Sequence, residues 1–159
     1  MAKYDSIGGP AASFTPYLEA GEQVRHVAYG VKQPNIFLII GLVALAVLPG
    51  LIAVVLLSRE YLVALTDRRV IVLRVKGGKA KVEEMMEYRL AALPPARTST
   101  GAIFTHIRIE DPAKPFIAKF HRAGPVPANR DNAMAIAAAL TGQAAVAPVG
   151  NAVGGLRPS

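Results

Sequence analysis

The side chains in this sequence that could do chemistry are three histidines, a group of glutamates and a group of arginines. His26, His106 and His121 show no HxH or HxxxH spacing, and no carboxylate stands at a recurring ligand distance from any of them. Glu83, Glu84 and Glu87 lie close together, but an acid pair of the glycosidase kind needs a cleft and a raised pKa. With Lys76, Lys79 and Lys81 beside them, they read as a solvated face of mixed charge. No nucleophile elbow, Walker-type loop or dinucleotide GxGxxG is present, and Gly77-Gly78 reads as a turn because no helix start follows it. The absence of cysteine removes disulfides, iron–sulfur clusters, thiol catalysis and cysteine zinc sites. The sequence therefore suggests no catalytic residue, no cofactor, no metal site and no enzyme activity.

What remains is ionic recognition by Arg59, Arg68 and Arg69. Thr66-Asp67-Arg68-Arg69 reads as a polar turn, in which Asp67 accepts from turn amides and Thr66 bonds nearby main chain. The two arginines then have two readings. Either they are solvated or paired with Glu83, Glu84 or Glu87, or they contact a lipid headgroup together with Arg59. Arg59 directly follows a long apolar segment and would snorkel to a membrane interface.

That segment dominates the elements around these residues. Ile36 to Leu57 holds 22 residues with no charged or polar side chain. As one helix it would extend about 33 Å, close to the ~30 Å hydrocarbon core of a bilayer. The expectation is a single membrane helix kinked at Pro49 and Gly50, embedding Ile36, Phe37, Leu45, Pro49, Gly50 and Leu57. Three other arrangements stay open: a buried core helix, a segment packed against a membrane face or a partner, and a re-entrant hairpin, whose arms would both be too short to span. The charge is also uneven. The chain carries a net charge of +7, and residues 58–123 hold 13 basic against 7 acidic side chains. By the positive-inside rule this places the part after the apolar segment in the cytoplasm. The basic residues cluster next to the apolar segment and the aromatic ones lie in apolar strand patterns, so a lipid partner is favoured over nucleic acid.

The rest of the 159 residues is read as follows. Residues 1–16 form a flexible leader, and 17–35 carry one strand near 22–31. Residues 58–142 form a domain of short strands: Tyr61–Leu65, Val70–Val75, Ala102–Ile109 and Phe116–His121, with 79–90 either strand or helix. A helix follows over Asn129–Leu140, capped by Asn129. Residues 143–159 form a disordered tail.

The stretch Tyr61-Leu-Val-Ala-Leu-Thr-Asp-Arg-Arg-Val-Ile-Val-Leu73 resembles a hairpin of the bacterial pleckstrin-homology-like family. Pro16-Tyr-Leu-Glu-Ala-Gly-Glu-Gln-Val24 resembles that family's opening. The resemblance covers roughly residues 17 to 141. It implies an α+β, mostly β fold: a bent antiparallel sheet or partial barrel with a C-terminal capping helix, here with one hydrophobic membrane helix added. It implies no catalytic activity. The expected function is a binding or scaffolding module anchored at the cytoplasmic face of a bacterial cell membrane, holding a protein partner or its own oligomer. The alternatives are a peripheral module that reads anionic lipid, and an accessory structural subunit of a larger membrane complex. A single span would leave the strand near 22–31 on the opposite side from the main sheet.

Overall fold

A computed structural model describes residues 9–76 and 79–142. Seven strands form one antiparallel sheet: β1 (Val24–Lys32), β2 (Arg59–Thr66), β3 (Arg69–Lys76), β4 (Lys79–Arg89), β5 (Ala96–Thr100), β6 (Phe104–Ile109) and β7 (Phe116–His121). Their spatial order is β4-β3-β2-β1-β7-β6-β5. β1 thus joins two meanders, pairing β2 along its length and touching β7 through Val31 and Lys119. The N-terminal strand belongs to the sheet.

Alternation along the strands makes two cores, one on each face. On the inner face Val63, Val72, Tyr88, Ile107, Phe116 and Phe120 meet Ala133, Ile136, Ala137 and Leu140 of the helix α3 (Asn129–Leu140). The outer face of the first meander buries Leu62, Ala64, Ile71 and Leu73 beneath Phe14 and Val126. Phe14 belongs to a 3-10 turn, Pro10–Tyr17, and is fully buried. The expected leader is therefore packed structure from Pro10 onward. Its first eight residues lie outside the described residues, as does the expected tail over 143–159.

Two helices, α1 (Ile36–Leu45) and α2 (Val47–Leu57), stand between β1 and β2. The expected membrane helix over 36–57 is overturned: among the described residues no helix is long and apolar enough to cross a membrane. The break falls at Ala46, in extended conformation, and not at Pro49-Gly50. Proline chemistry explains the displacement. In a continuous helix the Pro49 ring would press on the Leu45 carbonyl. With α2 starting at Val47, Pro49 lies in the first turn, where a missing N–H costs no intrahelical bond. Gly50 then lets the two helices touch. A Cβ there would collide with the Leu42 carbonyl and the Val43 backbone. Asn35 starts α1 by accepting from the Phe37 amide at 3.1 Å.

Two further details differ from the sequence reading. The α3 cap position is Ala128, at φ 51°, and Asn129 is the first helical residue. Buried, it accepts from the Tyr29 amide at 2.6 Å and donates to the Tyr29 and His121 carbonyls at 3.0 and 2.8 Å. Instead of capping, it fastens α3 across β1 and β7. Phe104, one of the aromatic residues whose apolar strand pattern points to core packing, lies on the exposed face of β6 with its ring edge-on to His121 at 5.1 Å.

Candidate functional site

Apolar surface on this molecule concentrates on the hairpin. Phe37, Leu45, Leu48 and Leu56 are 78%, 86%, 70% and 75% exposed, and Ile36, Ile40, Val47 and Leu57 are more than half exposed. Within the hairpin only Gly50 is buried, against the other helix. Scattered apolar side chains are ordinary on a protein surface, but a contiguous face of this kind marks a place meant to be covered. The helices have 10 and 11 residues, so each extends about 15–17 Å, half the thickness of a bilayer's hydrocarbon core.

The base of the hairpin is charged. β1 ends at Lys32, and its ladder partner is Arg59, the first residue of β2. At the same end β3 finishes with Lys76. Arg59 forms no ion pair among the described residues. Between the end of α2 and strands β2 to β4 lies a cleft of about 340 Å³, lined by Val55 to Leu57 on one side and by Arg59, Glu60, Arg74, Lys76 and Glu83 on the other. Ser58 closes the helix by donating to the Val54 carbonyl at 2.8 Å.

The three arginines expected at a headgroup are not brought together. Arg59 lies at the hairpin end of β2, whereas Arg68 and Arg69 lie beyond its other end. Eight residues of strand put about 25 Å between the two places. Arg68 is half exposed in the turn, within 3.5 Å of Glu19. Arg69 is 7% exposed and is a structural group. Its Nε donates to Glu22 Oε1 at 2.9 Å and its Nη2 to Glu22 Oε2 and the Tyr17 carbonyl, both at 2.8 Å; Nη1 pairs with Glu87. Thr66 Oγ1 donates to Glu22 at 2.7 Å and accepts from the Arg69 amide at 3.0 Å. The hydrogen bond from Arg69 dominates over burial and holds the Glu22 carboxyl near pKa 2, while the guanidinium is held charged even more firmly than usual. Glu22 stands in the opening stretch 16–24, but its role was not legible there because its partner Arg69 is 47 residues away.

The six residues expected to be membrane-embedded all fall in the hairpin: Ile36 and Phe37 at its start, Leu45 at its tip, Pro49 and Gly50 in the first turn of α2, and Leu57 at its end. Among the described residues no group of three or more histidines and carboxylates is placed to hold a metal ion. Burial raises the Tyr88 hydroxyl well above the usual phenol range, with Asp111 adding to it, but its ring lies in the inner core.

No family model matches this chain, and no curated protein matches it. Among solved structures, the hSac2 domain from human phosphoinositide phosphatase Sac2 is similar at 10% identity and a TM-score of 0.46, over 83% of this chain and 76% of that one.

Proposed function

We propose that this protein is a membrane-anchored binding module: an apolar helical hairpin enters one leaflet and holds a pleckstrin-homology-like sheet domain at the cytoplasmic face of a bacterial membrane. The observation that carries the reading is the exposure of the hairpin's large apolar side chains together with the adjacency of its two ends at Lys32 and Arg59. Arms of about 15–17 Å reach the middle of a bilayer and no further. The chain enters and leaves on one side, which lets β1 and β2 share a sheet. Cationic side chains at the base would meet an anionic leaflet, each contributing about 1 kcal/mol near the surface. The sheet domain is then the part offered to a protein partner or to a second copy.

The chain has no cysteine, so single cysteines report position cleanly. In sealed vesicles Lys32→Cys and Arg59→Cys should both react with a membrane-impermeant maleimide from the same side, and Leu45→Cys should react from neither. Washing with carbonate and high salt should leave the protein bound. Labelling of Leu45→Cys from the far side, or release by the wash, would defeat the proposal. Protection of Leu45→Cys in a lipid-free complex would favour the accessory-subunit reading, with the hairpin packed on other helices.

A further inference from the structure

The cleft at the hairpin base changes character over a few residues. Val55 and Leu57 make its apolar wall, Arg59, Arg74 and Lys76 supply cations, and Glu60 and Glu83 supply carboxylates. These cations are not equally available. Arg74 is engaged by Glu83 and Glu84, both at 3.3 Å. Lys76 is three-quarters exposed and only loosely held, at 3.8 Å from Glu83. Arg59 has no carboxylate partner among the described residues. A phosphate entering the cleft therefore finds Arg59 open and can draw Lys76 to itself. That movement uncovers Glu83 Oε1, which then faces the same space with no lysine on it. A headgroup carrying phosphate alone would sit beside this carboxylate at a cost. A headgroup that also carries a primary ammonium replaces the lysine and restores the pair.

We infer that this cleft binds the headgroup of one amine-bearing phospholipid, of the phosphoethanolamine class, with the phosphate on Arg59 and Lys76, the ammonium on Glu83 and the first acyl carbons along Val55 and Leu57. The inference rests on the one-leaflet reading of the hairpin, which brings the cleft to headgroup level. It concerns recognition of one headgroup, not attachment as such. A choline headgroup has the same net charge but no N–H to donate to Glu83, so the contrast between the two lipids isolates the contact.

The test uses the full chain and flotation with vesicles of phosphatidylcholine alone, or of phosphatidylcholine mixed with phosphatidylethanolamine or with phosphatidylglycerol. The expected result is about fivefold stronger binding with the ethanolamine lipid than with choline lipid alone, the size of one charge contact at a lipid surface. Glu83→Gln should abolish that preference and strengthen binding to the glycerol lipid, because it frees Lys76 and Arg74. Arg59→Gln should weaken binding to all three compositions by a similar factor. Both positions lie at the sheet surface, so folding is not at stake. Soluble glycerophosphoethanolamine should shift the amide resonances of residues 59, 76 and 83 in the same direction as the vesicle lipid. An ethanolamine preference that persists in Glu83→Gln would assign it to bilayer packing and overturn the inference. Binding of the soluble compound with no discrimination among vesicles would also overturn it. Failure to bind any vesicle would instead defeat the anchoring reading.

Discussion

Lys32 and Arg59 face each other across the β1–β2 ladder, although two helices separate them in the chain. Connections between antiparallel neighbours are usually a few residues long. Here the connection is an apolar hairpin, yet the register runs without a shift from His26 opposite Leu65 to Lys32 opposite Arg59. The sheet is therefore indifferent to what the loop contains, and the hairpin and the domain can be perturbed separately.

Gly50 offers the means. Its backbone meets Leu42 and Val43 of the opposite helix, closer than any side chain allows. Gly50→Val must push α2 away from α1. Since the hairpin lies outside both cores, chemical unfolding of the sheet should change by less than about 0.5 kcal/mol. Vesicle binding should fall several-fold, because α1 and α2 would no longer enter a leaflet as one packed hairpin. Equal losses in both measurements would mean that the hairpin is part of the folded core.

Phe14 tests the opposite end of the chain. It is fully buried against Val27, Leu62 and Ile71 in the outer core. Phe14→Ala should destabilise the domain by about 3–5 kcal/mol in urea unfolding, as for other buried phenylalanines. A cost below about 1 kcal/mol would return residues 10–17 to the role of a leader.

What the sequence made legible follows from how local each signal is. Strands β2, β3, β6 and β7 and the helix α3 announce themselves through hydrophobic periodicity over six to twelve residues. β5 does not. Its residues Ala96-Arg-Thr-Ser-Thr100 lie at the sheet edge with no apolar alternation to detect. The apolar segment was obvious, but its conformation depended on whether Pro49 bends a helix or begins one. Composition cannot separate these, because a bent span and a hairpin bury the same side chains in lipid. Of the arginines, Arg59 could be placed by its position after the apolar run. Arg69 could be placed only in part: its pairing with Glu87 is among the readings the sequence allows, but its burial depends on Glu22 and Tyr17, which reach it only through the fold.

Gly30 and Phe120 form a second tight pair. A Cβ at Gly30 would lie 2.8 Å from the Phe120 ring, which is fully buried where β1 meets β7. Gly30→Ala should cost about 1–3 kcal/mol through overpacking. Phe120→Leu, destabilising by itself, should recover part of that loss in the double variant, because the smaller side chain leaves room for the methyl. A double-mutant cycle measures this coupling. Strict additivity would show that the strain is absorbed elsewhere.

The Glu22–Arg69 pair sets the response to acid. The guanidinium hydrogen bonds lower the Glu22 pKa from 4.5 to about 2. A carboxyl with a depressed folded-state pKa stabilises the fold above its unfolded pKa and loses that contribution as pH falls through the folded value. The contribution should be complete above about pH 4.5 and decline down to about pH 2. Its size is on the order of 3 kcal/mol for a side chain with no solvent exposure. Glu22→Gln removes the charge but leaves Arg69 buried beside Glu87 and the Tyr17 carbonyl. It should cost about 3–5 kcal/mol at neutral pH. Its stability should then fall less steeply than that of the unaltered protein between pH 4.5 and pH 2. Urea unfolding across that range measures both slopes. Parallel curves would show that other carboxylates govern acid unfolding and that the pair serves only to position the turn at Thr66–Arg69.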